Sequence, residues 1–167
     1  MNGSEEQITK GEWEVTSFDG VDSDKMEIYY RSTEEGSINR TLYVQNLETG
    51  EKRKLSTQIG DNSIKFSKNL KYYMNSYSNA NTAPYYTLHR SNGEQLKILE
   101  DNAEFNKEME QYNLSEKELF TIKTEDAELN AWMIKPPNFD KNKEYPLYMF
   151  LYGGPGSQQV TNSFGWT

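Results

Sequence analysis

The sequence predicts a mostly β chain: two propeller-type blades, a connecting helix and the opening strands of an α/β sheet. Three observations carry this. A unit of strands closed by a Gly-Glu turn occurs twice in the first hundred residues. After Glu100 the apolar residues change to helical spacing within an acidic stretch. Further on, the run Tyr145-Pro146-Leu147-Tyr148-Met149-Phe150-Leu151-Tyr152 is apolar or aromatic throughout and stops at Gly153-Gly154-Pro155-Gly156.

Composition fits that reading. Only 34% of the 167 residues are hydrophobic and the mean hydropathy is -0.95. Disordered chains are poor in aromatics, whereas this one has 12 Tyr, 7 Phe and 3 Trp. Such a mixture suits short antiparallel strands with one wet face. The net charge is -8, from 18 basic and 26 acidic residues. Nucleic acid is not an expected partner, because phosphate tracking needs clustered Lys and Arg and none occurs. No run approaches the roughly 18 apolar residues of a membrane span. The N-terminus has no basic and apolar regions of a signal peptide, which in a fragment says nothing of the longer protein's address. Cysteine is absent, which excludes disulfides and thiolate metal sites.

The repeat comes first along the chain. Tyr29-Tyr30 recurs as Tyr72-Tyr73, and Thr41-Leu42-Tyr43-Val44 aligns with Pro84-Tyr85-Tyr86-Thr87. Thr49-Gly50-Glu51 aligns with Asn92-Gly93-Glu94, and Lys54-Leu55 with Lys97-Ile98, all at one offset of 43 residues. Each unit reads as a strand ending in Tyr-Tyr, a polar loop, a second strand, a hairpin turn and a closing strand. Trp13-Glu14-Val15-Thr16-Ser17-Phe18 and Ser63-Ile64-Lys65-Phe66-Ser67 alternate and supply the innermost strands. Four short strands in about 40–45 residues is the size of a propeller blade. His89, the single histidine, falls in the polar register and is expected at the surface.

Asp101 or Asn102 can cap a helix, along which Phe105, Met109 and Tyr112 share one face and which should end near Asn113. Its Glu104, Glu108 and Glu110 read as a solvated face rather than a metal or amine site. Leu119-Phe120-Thr121-Ile122-Lys123 and Leu129-Asn130-Ala131-Trp132-Met133-Ile134 form a hairpin through Glu125-Asp126-Ala127-Glu128, stopped by Pro136-Pro137. The apolar run at 146–152 then reads as a strand buried on both faces.

As a self-contained enzyme the chain lacks its parts. A nucleophile elbow needs Gly-x-Ser-x-Gly, but Ser157 has Pro155 before it and Gln159 after it. No phosphate-binding loop, dinucleotide fingerprint or metal-ligand spacing occurs, so no cofactor is expected. The glycine turn differs. Gly153 and Gly154 let backbone approach a ligand closely, and such loops serve as oxyanion holes in α/β-hydrolase folds. Tyr152 can present a phenolic O–H to a developing negative charge. On periodicity alone, a strand-end tyrosine reads first as packing.

Trp13-Glu14-Val15-Thr16, the repeat, Tyr86-Thr87-Leu88-His89, Leu99-Glu100-Asp101-Asn102, Trp132-Met133-Ile134-Lys135-Pro136-Pro137-Asn138-Phe139-Asp140 and the run from Tyr145 to Gln158 occur in this order. Together they resemble the dipeptidyl peptidase IV branch of the prolyl oligopeptidase class of serine peptidases, and its bacterial members in particular. The resemblance implies a β-propeller in front of an α/β-hydrolase domain, with the active site between them, releasing X-Pro or X-Ala dipeptides from peptide N-termini. It gives Tyr152 the role of oxyanion-hole donor, supported by the turn Gly153, Gly154 and Pro155, with Gly153 where some members carry Ala. It also implies that the Ser, Asp and His of the triad lie downstream and that the acidic pair holding the substrate amine lies upstream. Glu34 and Glu35 sit in a blade loop and do not match that pair.

The expectation is thus a fragment: two C-terminal blades over 1–100, a junction helix and linker over 101–117, and the first three strands of the hydrolase domain over 118–167. It should be inactive alone. The longer protein would take peptides with Pro or Ala second, in the periplasm or cell envelope of a bacterium. Uncovered Leu147, Met149, Phe150 and Leu151 lead to an expectation of self-association, or of a disordered tail from about Gly156, which packed Phe164 and Trp166 would contradict. Two other readings use the same residues: blades acting as a binding module, or an inactive relative with an interaction role.

Overall fold

The computed structural model describes Gly3 and residues 5–165. Its first sheet comprises β1 (Val15–Asp22), β2 (Glu27–Ser32), β3 (Thr41–Asn46) and β4 (Lys52–Lys54). The second comprises β5 (Asp61–Phe66), β6 (Tyr72–Asn79), β7 (Thr82–Arg90) and β8 (Gln95–Glu100). In each, every strand pairs antiparallel with the next. These are two up-and-down sheets of the propeller-blade type.

The repeat holds at its turns and slips at its strands. Gly50 and Gly93, both at positive φ (73° and 96°), sit in the hairpins that follow β3 and β7. There the Asn46 N–H donates to the Glu51 carbonyl, and Arg90 to Glu94, each at 2.9 Å. The Tyr-Tyr pairs, however, do not end their strands: Tyr29-Tyr30 is central in β2 and Tyr72-Tyr73 opens β6. Turn length is the reason. Ser32 faces Thr41 across residues 33–40, while Asn79 faces Thr82 across residues 80–81 alone. The shorter turn lets β6 and β7 reach 8 and 9 residues against 6 each for β2 and β3. Equal sequence spacing therefore lands on unequal positions.

The core lies between the sheets. Tyr29, Leu42, Val44 and Leu55 from the first unit join Tyr73 from the second, with Ile64 and Phe66 packed against them. Ring centroids step across the interface from Tyr29 to Phe66 (4.7 Å), Tyr73 (5.2 Å) and His89 (4.8 Å). Polar groups cross it too. The fully buried Asn62 donates through Nδ2 to the Arg40 carbonyl at 2.8 Å and accepts from Asn75 Nδ2 at 3.0 Å. Burial pushes the neighbouring Asp61 carboxyl up, opposed by the Arg40 and Arg31 charges.

His89 is half-buried, not a surface residue. It stacks within 4° of the Tyr73 ring, because β7 is long enough to carry it over that ring. Nδ1 lies 3.2 Å from the Gly93 carbonyl and Nε2 lies 2.7 Å from Thr87 Oγ1. A carbonyl only accepts, so Nδ1 carries the proton and Nε2 accepts from the hydroxyl. Burial lowers its pKa, the Gly93 carbonyl opposing. The unfolded chain then binds the proton more tightly than the folded one. Stability from this group is present above about pH 6.5 and is lost as pH falls through the lower folded value. The urea midpoint should fall more steeply from pH 7.5 to pH 5 in the wild type than in His89→Gln; parallel curves would refute this.

On the outer side of the first sheet, Trp13, Tyr30 and Tyr43 form a second stack at 6.4 and 5.8 Å. Lys52 Nζ lies 5.4 Å from the Trp13 ring and 5.3 Å from the Tyr43 ring, and pairs with Glu34. Glu35 pairs with Lys54 at 3.1 Å and accepts from the Tyr43 hydroxyl at 3.1 Å. Those two partners hold its carboxyl below the usual range. Both carboxylates are engaged within the blade.

The connecting helix, α1, is one regular stretch, Ala103–Met109, followed by turns at Gln111 and Tyr112. It stops short of Asn113. Asp101 Oδ1 accepts the Ala103 N–H at 3.0 Å, whereas the side-chain amide of Asn102, in left-handed conformation, reaches the Pro84 carbonyl. A hairpin follows, with β9 (Lys117–Lys123) paired to β10 (Glu128–Ile134) and its turn closed by Thr124 and Ala127.

Residues 146–152 have no ladder. Of the three hydrolase-type strands expected, this one is not formed among the described residues, and Leu147 is 76% and Leu151 77% exposed. The cause is the pairing requirement. A strand of a parallel-type sheet gains its hydrogen bonds from neighbours that arrive after a crossover, and among the described residues no strand pairs with it.

Candidate functional site

Tyr152 stands at the end of the apolar run, 58% exposed. Its ring folds over the turn: a Cβ added at Gly154 would lie 2.5 Å from the Tyr152 hydroxyl. Glycine at 154 is therefore what allows the phenol to lie against the turn backbone. A Cβ at Gly153 would meet nothing within 4 Å, so alanine there fits. The Ser157 N–H donates to the Gly154 carbonyl at 3.2 Å, closing the turn around Pro155 and Gly156. Tyr152, Gly153, Gly154 and Pro155 are thus adjacent in one surface turn.

Beyond this turn the chain docks on the blades. Gln158 Oε1 accepts from Arg40 at 2.5 Å, and its Nε2 donates to the Ser37 carbonyl at 2.9 Å. Asn162 bonds to residues of both blade hairpins. The Phe164 N–H reaches Ser78 Oγ at 3.3 Å, and its ring meets Phe105 edge-on at 6.1 Å. A disordered tail from about Gly156 is therefore not found; Trp166 lies outside the described residues. The polar side chains of 158–162 have specific partners on the loops at 33–40 and 80–81, and these outweigh the freedom of the glycine turn.

The hairpin joins the same junction. Asn81 bonds both backbone groups of Lys117, accepting at 2.8 Å and donating at 3.1 Å. Lys117, itself buried, donates to the Gly165 carbonyl at 2.5 Å and lies 5.4 Å over the Trp132 ring. Burial pushes its ammonium below the ordinary lysine range. Asn130 reaches Ser37 Oγ at 2.9 Å. Arg40, Gln158 and Asn162 were not singled out from sequence; single polar residues in loops carry no period, and only the structure brings them together.

A groove of about 490 Å³, lined by Glu12, Trp13, Glu14, Thr33, Ser37 and Gln158, runs past this junction. Among the described residues, no group of three or more His, Asp or Glu side chains is placed to hold a metal ion. No helix among them is long and apolar enough to cross a membrane.

Two propeller-type sheets, a helix and a hairpin leading to a glycine turn define the junction of a propeller with an α/β-hydrolase-type domain. Residues 1–84 match the family model for the dipeptidyl peptidase IV N-terminal region. The chain is similar to dipeptidyl peptidase 4 of Felis catus, at 37% identity over 94% of this chain and 21% of that protein. With the probable dipeptidyl peptidase 4 of Aspergillus flavus it shares 35% identity, over 92% of this chain and 20% of the relative. The crystal structure of Porphyromonas gingivalis dipeptidyl peptidase 4 superposes with a TM-score of 0.90 at 41% identity, over 96% of this chain and 23% of that one. The chain belongs to the dipeptidyl peptidase IV family. It spans about a fifth of the length of the curated relatives it matches.

Proposed function

We propose that this chain is a section of a serine exopeptidase that releases X-Pro and X-Ala dipeptides from peptide N-termini. The observation that carries it is the Tyr152 turn, held beside two blades in an arrangement that superposes on a bacterial dipeptidyl peptidase 4. In this reading residues 1–100 are the last blades, 101–117 the junction, and 118–167 the start of the hydrolase domain. Tyr152 donates a hydrogen bond from its phenolic O–H to the oxyanion of the tetrahedral intermediate, beside a backbone N–H next to the nucleophile. Gly153, Gly154 and Pro155 shape the turn that presents it.

The division of labour follows from charge. Attack of a serine on a peptide carbonyl places a negative charge on its oxygen, and a neutral phenol can meet that charge without itself ionising. The chain's one histidine is committed to Thr87 and Gly93 rather than to a serine, so in this reading the Ser, Asp and His of the triad lie outside 1–167. The 167-residue chain should therefore give no turnover of a Gly-Pro chromogenic substrate, while the full-length protein should. Turnover by the short chain would overturn this reading. In the same preparation the uncovered Leu147, Met149, Phe150 and Leu151 should drive self-association, and a monomer by sedimentation would contradict that part. A periplasmic or cell-envelope location in a bacterium completes the proposal, and fractionation of expressing cells tests it.

A further inference from the structure

The turn carrying Tyr152 is intrinsically loose. Gly153, Gly154 and Gly156, the last at φ 72°, give its backbone more conformations than other residues would. A hydrogen-bond donor in an oxyanion hole acts only when its position is fixed in advance. Something must therefore hold the far end of this turn.

Asn162 has the contacts to do so. Its Oδ1 accepts the Ala80 N–H at 2.9 Å, at the tip between β6 and β7. Its Nδ2 donates to Asn39 Oδ1 at 3.0 Å, and its own N–H donates to the Ile38 carbonyl at 2.9 Å, both in the loop between β2 and β3. One residue thus bonds to both blades at once. Asn39 is itself fixed, its Nδ2 donating to the Glu35 carbonyl at 2.7 Å, so its Oδ1 is the atom left to face Asn162. Gln158 adds a second tie to the same loop through Arg40 and Ser37.

We propose that Asn162 is a positioning residue, a clasp that pins the Tyr152 turn to the ends of both blades so that propeller geometry sets where the phenol stands. This rests on the proposed peptidase reading. It assigns the last two blades a part in the chemistry beyond enclosing a cavity: displacement of one blade against the other would move the oxyanion donor. Asn162 touches neither substrate nor reacting atoms in this scheme; it acts through Tyr152.

Two measurements test it and separate its failure from that of the peptidase reading. In the 167-residue chain, Asn162→Ala should raise hydrogen exchange at the Ala80 amide about tenfold, with the thermal midpoint confirming that the variant folds. Unchanged exchange at Ala80 would overturn the clasp, whatever the full-length protein does. In the full-length protein, Asn162→Ala should lower kcat for a Gly-Pro substrate about tenfold with KM within about twofold. Asn162→Asp, which keeps the acceptor for Ala80, should recover part of that loss. In a Tyr152→Phe background the same Asn162→Ala change should cost less than about twofold, because its effect runs through the missing hydroxyl. An equal tenfold loss in that background, or an unchanged kcat in the single variant, would refute the positioning role. A wild-type full-length protein with no turnover would instead remove the peptidase reading and leave the clasp to the exchange result.

Discussion

Tyr152→Phe in the full-length protein is expected to lower kcat for a Gly-Pro substrate about 100-fold, the usual range for loss of one oxyanion donor. KM should stay within about twofold. The asymmetry is the diagnostic part. In the ground state the scissile carbonyl carries little charge and gains little from the phenol; in the tetrahedral intermediate the oxygen is an alkoxide and gains much. An interaction made only there lowers kcat and kcat/KM together. Phenylalanine keeps the ring that lies over Gly154 and removes only the hydroxyl, so the turn should hold its shape. The measurement is steady-state kinetics on the wild type and the variant at saturating and limiting substrate. A wild-type kcat would return Tyr152 to a packing role. A raised KM at unchanged kcat would make it a substrate-binding group instead.

The blades were legible in the sequence because each feature that marks them is local. A Gly-Glu turn between alternating strands needs only a positive φ at glycine and a short antiparallel pair, and Gly50 and Gly93 supply it at matching places. Strand positions within the blades were less legible. The Tyr-Tyr match suggested equal strands, but β6 starts at Tyr72, which is exposed, while Tyr29 lies inside β2 and is buried. His89 escaped for a related reason: the polar register placed it outward, while the longer β7 brings it onto the Tyr73 ring. The apolar run at 146–152 shows the limit of periodicity most clearly. Its sequence has the character of a buried strand, and burial needs neighbours that local pattern does not provide. At the candidate site, Tyr152 and its glycines were visible as a motif. Its anchors were not, since Gln158 and Asn162 meet their partners, Arg40 and Ala80 among them, only across long stretches of chain.

Leu42→Ala should destabilise the 167-residue chain by about 3 kcal/mol, within the range for truncating a fully buried leucine. Leu42 is 0% exposed and belongs to the cluster that Tyr73, Ile64 and Phe66 complete from the second sheet. Its backbone stays held in the variant, since the carbonyl accepts from Leu55 at 2.9 Å and the N–H donates to Ser56 Oγ at 2.9 Å. The loss is then of side-chain contact across the interface alone. The size of the effect is less informative than its reach. If each sheet were stable by itself, the cavity would loosen β2 and β3 and spare β6 and β7. The shared cluster and the Asn62 bonds to Arg40 and Asn75 argue otherwise. A four-stranded meander exposes one apolar face and two unpaired edges, and it gains most of its burial from the neighbour. Hydrogen exchange resolved by segment should therefore show protection falling by the same amount in β2–β3 and in β6–β7. A fall confined to β2–β3 would mean that the two blades unfold independently, and that the first could move without carrying the second.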